Sequence, residues 1–531
     1  MSAYRMMKLR KNIRYAVFAG MAGAFLIPQI SFAAPTGEQN LAGNAAVSRS
    51  GVTTSINSSD ANNVISWADY SVGSGEIVQY DGGAQTNNYL NIVRGGNSSV
   101  INGNITGGNN VYIVNPNGVI FGKTASVNVG NLHVSTQDTA ALSAMTSWDG
   151  SNPLGASPVG KADVVNMGSV TATGVEVVGK SIRFLNAADV HSTSVVMHTD
   201  TANDGTAHIG YRGTAPTAGY TVNGSAATTA DNYYQLVKTT QEFQDINNNL
   251  SGNYMLEDNI DFSNGALTPI GGNALSDFTG KVDGNFFQVK NFTATGDYAG
   301  LFGKSAGARI ENLGVTGAQV AGDPSGNQNT RGAGGIVGSA SGHTTLKNVY
   351  VENSSVTGAN SVFGGIAGYT TNTKIDGSYN TAAIGTQGGG IIGYAGAGTE
   401  VTNTYNRPSS TVAGESFFIR YIGPAAGTKV SNSFTTSTKF SSITTFTASN
   451  VSNNYIIDEN GKAKPVIPGI TPSTTKHDAY SSSTYTGWDI NNNGDPGATW
   501  RIYEGRTTPL LTAFMSGTAT ATYNYRYFNQ D

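Results

Sequence analysis

A glycine-bracketed apolar pair recurs through the middle of this chain at unequal spacing, and each copy is followed by an aliphatic residue at an almost fixed distance. The copies are Ala299-Gly300-Leu301-Phe302-Gly303, Gly334-Gly335-Ile336-Val337-Gly338, Gly364-Gly365-Ile366-Ala367-Gly368 and Gly389-Gly390-Ile391-Ile392-Gly393, with Arg420-Tyr421-Ile422-Gly423 as a degenerate fifth. Their last glycines stand 35, 30, 25 and 30 residues apart. Ile310, Leu346, Ile375, Val401 and Val430 follow those glycines after seven or eight residues. A constant offset beside variable insertions is the pattern of a solenoid, in which stacking fixes the rung while loops on one face change length. Glycines on both sides of the pair permit sharp corners and close backbone approach.

The N-terminal part follows a related logic. Residues 111–136 read VYIVNPNGVIFGKTASVNVGNLHVST, two β-branched runs joined at Asn115-Pro116-Asn117-Gly118. Pro116 presets φ for a turn, and Asn117-Gly118 supply residues that tolerate positive φ. Val111 and Ile113, Val119 and Phe121, and Val127 and Val129 fall on one face, giving strand, sharp corner, strand. Period-two runs flank this stretch at 65–70, 76–80, 88–93 and 99–105, and again at 163–166, 175–178, 181–184 and 194–197. Strands of three to five residues with Asn-Gly corners suit an all-β parallel β-helix.

Composition narrows the function classes. Charged residues make up 12% of the 531 residues and the net charge is −4, so there is no electrostatic footprint for nucleic acid. The chain has no cysteine, which excludes disulfides and thiolate metal sites. It also means that no disulfide can lock a premature fold during export. Arg5, Lys8, Arg10, Lys11 and Arg14 precede an apolar stretch at 16–27, and Ser31-Phe32-Ala33 places small residues at −3 and −1. Residues 1–33 therefore read as a secretory signal cleaved after Ala33. No later segment approaches about 18 continuous apolar residues, so the processed chain is not expected to span a membrane.

The expected organisation is a first β unit at 34–199, a Thr-, Ala- and Gly-rich linker at 200–235, a repeat solenoid at 236–435 and an irregular closing region at 436–531. One helix is expected at 236–250, with Leu236, Phe243, Ile246 and Leu250 near one face and Thr239 or Thr240 as cap. The last region breaks the period and carries Trp488, Trp500, Pro509-Leu510-Leu511 and an aromatic tail of Tyr523, Tyr525, Tyr527 and Phe528. It is expected to close the exposed end of the solenoid, or to stand as a separate tail.

The first unit closely resembles the secretion domain of two-partner secretion exoproteins, the filamentous haemagglutinin group. The resemblance rests on the Trp67 strand, Glu76-Ile77-Val78-Gln79-Tyr80, Leu90-Asn91-Ile92-Val93, the Asn115-Pro116-Asn117-Gly118 corner and Gly130-Asn131-Leu132-His133-Val134-Ser135-Thr136. The group often has Arg where Ile92 stands, and the separate Asn-Pro-Asn-Leu motif of some members is absent. The resemblance implies a right-handed β-helix, unfolded passage through the periplasm, and recognition by a cognate outer-membrane β-barrel transporter with POTRA domains. Asn115, Pro116, Asn117 and Gly118 would then be structural and secretory determinants. The five repeats resemble the GLUG motif of bacterial surface and secreted proteins.

Other candidate chemistry is sparse. Gly303-Lys304-Ser305-Ala306-Gly307 has the spacing of a nucleophile elbow but sits at a repeat corner, without the strand-to-helix turn. Gly303-Lys304-Ser305 and Gly122-Lys123-Thr124 imitate phosphate loops, yet Tyr298 and Asn117 stand where the first glycine is required. His191, His198 and His208 cluster in sequence and are candidates for haem or a metal. Asp489, Asn491, Asn493 and Asp495 alternate like a Ca²⁺ loop, with Trp500 where the closing Glu belongs. The abundant Asn residues read as stacked ladders before carbohydrate ligands. The expectation is a secreted or surface-exposed adhesin or matrix-binding exoprotein, without catalytic residues or a cofactor, meeting a host or matrix glycan or protein. The alternatives are capture of haem or a haem carrier, and a polysaccharide-active enzyme.

Overall fold

The structure is a computed structural model that describes residues 34–155, 158–216, 219–272, 276–322, 331–358, 362–408, 417–423, 427–436, 451–458, 460–466, 477–492 and 498–514. The expected signal segment, Asn493, Asp495 and the aromatic tail lie outside the described residues.

Strands of two to nine residues pair mostly in parallel with the strand one coil away. Asn110–Val114, Val119–Phe121 and Ser126–Asn128 make one coil, and Asn131–Ser135 begins the next by pairing with Asn110–Val114. Each turn of chain thus contributes one strand to each of three sheets, a β-helix. Val111, Ile113, Val119, Phe121, Val127, Val129, Leu132 and Val134 all point into one core. Strands this short bury nothing useful alone, so a coil is stable only against its neighbours. Antiparallel pairs, Gln39–Ala42 with Asn62–Trp67 and Ala46–Ser50 with Thr53–Asn57, close the first end. An excursion around Ala140–Ser143 lays Leu142 and Leu154 over Val64, Leu90, Ile92, Tyr112 and Val114. Ile92, where the family often has Arg, is therefore covered.

Two expectations near the middle are corrected. The stretch read as a linker at 200–235 carries Ala207–Tyr211 and Tyr220–Val222, which continue the sheets of the first unit. Tyr233–Val237 then pairs with Ala207–Tyr211 on one side and Asn253–Leu256 on the other. The stack runs on without a break. Leu236 consequently lies in a strand, because pairing on both edges outweighs helical spacing. The helix shrinks to Thr240–Gln244 with a 3-10 turn at Asp245–Asn248. Thr239 caps it reciprocally with Glu242, and Phe243 and Ile246 are its buried residues.

The repeats stack as their spacing requires. Phe302, Val337, Ala367 and Ile392 lie in register, and so do Ile310, Leu346, Ile375, Val401 and Val430. The fifth copy is displaced. Ile392 pairs with Ile419, not Ile422, and Phe418 and Ile419 are buried where Tyr421 is exposed. Burial selects the Phe418-Ile419 pair over the glycine spacing. A corner on each coil holds a left-handed residue: Asn312, Asn348, Gly377, Asn403, Asn432 and Asn453, at φ of 53, 53, 60, 51, 50 and 54°. Asn and Gly are the residues that accept that region at low cost. Asn side chains also form ladders between coils: Asn131 to Asn110 (2.9 Å), Asn110 to Asn88 (2.8 Å) and Asn348 to Asn312 (3.0 Å).

Outside the repeat core, Tyr350, Tyr379, Tyr405 and Phe434 stack one per coil at 5.0, 4.8 and 5.1 Å. A side chain on Gly314 would enter the Tyr350 ring, so the ladder starts against bare backbone. Trp488, Trp500, Leu511 and Phe514 cover the ladder. Antiparallel strands Lys462–Pro465 and His477–Asp478 end the parallel stack. The closing region thus does two jobs, terminating one sheet and sheathing an aromatic face.

The long sheet also doubles back. Arg183 and Asp283 sit on strands four pairings apart, through Ala207–Tyr211, Tyr233–Val237 and Asn253–Leu256. At about 4.8 Å per pairing that path is roughly 19 Å, yet Arg183 Nε lies 3.1 Å from Asp283 Oδ2. Asn117 and Gly118 likewise line a crevice shared with Asn403 and Thr512. The first unit and the repeat half face one another across that crevice.

The ladder gives a direct test. Tyr379→Ala removes a ring stacked on both sides, and large-to-small changes of this kind cost about 3–5 kcal/mol. A urea midpoint markedly below wild type is expected, with Tyr379→Phe, which keeps the ring but loses the hydroxyl's bond to Glu352 (2.7 Å), falling between the two.

Candidate functional site

The Asn115-Pro116-Asn117-Gly118 corner is built from inside. Gly118 N–H donates to Asn115 O (3.1 Å), closing a four-residue turn with Pro116 in its second position. Asn117 keeps φ out of the left-handed region, so Gly118 alone carries the reversal, at φ 112°. This excludes the type II and primed turns; of the two residues that tolerate positive φ, Gly118 is the one that uses it. Asn115 is fully buried. Its Nδ2 donates to Asn97 O and Ser99 Oγ, both at 3.0 Å. Its Oδ1 accepts from Asn117 N (3.0 Å) and Asn117 Nδ2 (3.2 Å). Asn117 Nδ2 also donates to Gly95 O at 2.7 Å. The two amides therefore bind one coil to the one before it. Nearby, Trp67 Nε1 donates to Asn91 Oδ1 (3.0 Å), and Asn91 Nδ2 donates to Tyr112 O (2.9 Å).

The three clustered histidines are not brought together. His191 is exposed on a two-residue strand. His198 Nε2 lies 3.6 Å from Glu176 Oε1, and His133 Nδ1 lies 2.9 Å from Glu176 Oε2. His133 also stacks on Tyr112 at 4.0 Å. Burial raises the Glu176 carboxyl, but His133, Asn152 and His198 outweigh it and hold the pKa below the usual value. His208 is buried elsewhere, between Asp283 and Glu311.

That second place is a buried ionic junction. Arg183 contacts Asp283 and, at 2.9 Å, Asp163, and lies over the Phe286 ring. Asp204 takes Arg309 at 3.1 Å and Lys347 at 2.6 Å. Burial would raise the Asp204 carboxyl, yet Lys347 and Arg309 pull it down to about 2. Burial likewise opposes the charge on Asp283, and Arg183 and His208 overcome it, keeping the carboxylate ionised. Sequence reading missed Arg183, Asp283 and Glu311. A signal was present: in a chain that is 12% charged, SIRF, KVDG and RIEN place charges within apolar strand runs.

The remaining candidates have ordinary settings. Ser305 is buried within strand Phe302–Ala306, with Thr344 Oγ1 donating to its Oγ. Lys304 pairs with Asp277 at 2.7 Å, and Lys123 with Asp258 at 3.1 Å. Asp489 Oδ2 accepts from Thr499 N (2.7 Å) and Thr499 Oγ1 (2.9 Å), and Asn491 is in strand Ile490–Asn491.

Residues 31–266 match the family model of the TPS secretion domain. That segment is therefore a two-partner secretion domain, and it runs through the stretch expected to be a linker. A heme/hemopexin-binding protein of Haemophilus influenzae strain Rd is 33% identical over 109 residues, 20% of this chain and 12% of the relative. A second Haemophilus influenzae heme/hemopexin-binding protein is 35% identical over 79 residues, 15% of this chain and 8% of the relative. The chain thus matches only a small part of either relative. The crystal structure of the HMW1 secretion domain from Haemophilus influenzae aligns over 70% of this chain and 95% of that one, at 14% identity and a TM-score of 0.24.

Asn115→Ala leaves the buried Ser99 hydroxyl without its partner, which costs about 1–3 kcal/mol, and also removes the bonds to the exposed Asn97 and the half-buried Asn117. Equilibrium unfolding should show a clear loss of stability, while Asn109→Ala, in an exposed loop position, should stay near wild type.

Proposed function

We propose that this chain is a secreted exoprotein of the two-partner route. Residues 31–266 address it to a cognate outer-membrane β-barrel transporter with POTRA domains, and the repeat half is the surface presented outside the cell. The observation that carries the reading is the secretion-domain match, 31–266, lying over the coils that hold the corner. Segment 1–33 would take the chain through Sec into the periplasm of a double-membrane bacterium. The absence of cysteine suits passage in an unfolded state. Among the described residues no helix is long and apolar enough to cross a membrane.

Outside the cell the proposed role is adhesion or matrix binding, without enzymatic activity. The support is the setting of the candidates: Ser305 inside a strand, Lys123 and Lys304 in ion pairs, and the loops between repeats varying in length. The GLUG resemblance, which marks surface proteins, agrees. Asn115→Ala with Asn117→Ala should leave periplasmic export intact and block outer-membrane passage. Normal amounts of the double variant in the medium would contradict the assigned role.

A second reading, haem or haem-carrier acquisition, draws on the names of the two Haemophilus relatives. His198 is engaged by Glu176 and His208 is buried, so His191 is the exposed imidazole of the three. Haem titration separates the readings. Acquisition predicts a Soret shift that weakens in His191→Ala; an adhesin predicts no shift.

A further inference from the structure

The register of the repeats aligns one outward position on successive coils. Lys304 pairs with Ser339, Ser339 with Tyr369, Tyr369 with Tyr394 and Tyr394 with Tyr421. The column faces away from the core, since the residues that follow its first four members, Ser305, Ala340, Thr370 and Ala395, are buried. Tyr421 is 45% exposed, and among the described residues it is the aromatic one of three exposed large apolar side chains. Tyr369 and Tyr394 are half-buried. In the first four copies the column residue directly follows the last glycine of the motif. In the fifth, glycine spacing would put Pro424 there, after Gly423. The displaced register brings Tyr421 into the column instead, with Arg420 level with Gly393.

The rings rest on a strip of small residues. Two positions beyond each column residue stand Ala306, Ser341, Thr371, Gly396 and Gly423. A Cβ on Gly423 would lie 2.9 Å from the Tyr394 hydroxyl, and one on Gly396 would lie 3.4 Å from the Tyr369 hydroxyl. Each ring therefore leans along the axis, over the glycine of the next coil. Tyr369 and Tyr394 stack with centroids 5.3 Å apart and planes 13° from parallel. Carbon atoms in direct face-to-face contact sit about 3.5–4.0 Å apart, so these rings overlap like tiles and leave part of each face open. Arg420 lies 4.7 Å over the Tyr421 ring and donates to its hydroxyl at 2.8 Å, holding the last tile.

The chemistry of this face selects its occupant. It offers aromatic surface beside the hydroxyls of Ser339, Ser341 and Thr371, and neither column contains a carboxylate. Lys304, the lysine of the column, is paired with Asp277 at 2.7 Å. A polyanion meets a lysine already neutralised, and a polycation meets no counter-charge. A sugar ring presents apolar C–H faces and hydroxyl edges, the complement of tyrosines flanked by hydroxyls. One tyrosine per coil, a step of about 4.8 Å, suits a polymer that turns the same face to each ring. Tyrosine makes such contacts at small entropic cost, because it has few torsions to freeze.

We propose that the Tyr369, Tyr394 and Tyr421 column is a binding rail for a neutral, extended polysaccharide, whose sugar units lie along the solenoid axis against the rings. The rail rests on the adhesion reading and names the class of ligand for it.

Affinity electrophoresis of the full chain through gels containing hydroxyethylcellulose, glucomannan, galactomannan or xylan tests the rail, with heparin as the polyanion. At least one neutral polysaccharide is expected to retard the wild type, and heparin is not. In Tyr421→Ala the dissociation constant should rise roughly tenfold or more. Tyr421→Phe, which keeps the ring, should lie nearer wild type, and Val52→Ala, exposed in the secretion domain, should match it. Circular dichroism and the urea midpoint check that Tyr421→Ala is folded; if it is not, Tyr369→Ala decides. Retardation by none of the four neutral polymers overturns the proposal, as does equal retardation by heparin or retardation undiminished in the alanine variant. Binding to a fibronectin-coated surface and sedimentation are measured in parallel. Fibronectin binding without polysaccharide retardation leaves adhesion standing and removes the rail. Fibronectin binding or self-association that is lost in Tyr421→Ala, again without retardation, assigns the column to a protein partner or a second copy and equally overturns the proposal.

Discussion

Most strands among the described residues find their hydrogen-bonding partner one coil away, and that separation governs the rest of the structure. Asn131 pairs with Asn110, and Leu346 with Ile310. No coil can satisfy its backbone until the next is laid against it. Register must be kept because a slip of one residue would turn Val111, Ile113, Leu132 and Val134 outward. Corners must therefore repeat in the same place with the same geometry. Asn115 fixes one corner by binding its neighbour coil, and the left-handed Asn and Gly series fixes another. Insertions are confined to loops, where no register depends on them.

Stacking alone would give a straight column. The ionic junction adds a second level of organisation, holding the repeat half against the secretion domain and bringing Asn117 and Asn403 to one crevice. The aromatic ladder adds a third, because it gives the closing segment a face to cover. The division of labour follows from this layout. Residues 31–266 carry the export signature. The loops of the repeat half vary in length, and variation is tolerated there because no strand register depends on them.

Features set by neighbours in sequence were legible before the structure; features set by distant residues were not. The offset from each glycine motif to Ile310, Leu346, Ile375, Val401 and Val430 predicted residues that stack in register. The corner was legible because Pro116 and Gly118 act locally, although the role of Asn115 needed Ser99 and Asn97 in view. The false linker arose because a Thr- and Gly-rich stretch has weak local preference, while its strands are held by partners on both sides. The displaced fifth repeat arose because glycine spacing was read ahead of burial, and Phe418-Ile419 fills the core. The junction was invisible because Arg183 and Asp283 meet only when the sheet doubles back.

The central claim is an unbroken stack from the secretion domain into the repeats, and native-state hydrogen exchange tests it most directly. The decisive amides are those of Ala207–Tyr211 and Tyr233–Val237, inside the stretch that composition marks as a linker. The account predicts protection comparable to that of Ile182–Phe184 and Asn253–Leu256 on either side. Exchange at the rate of an unprotected loop, with both flanks still protected, would contradict it.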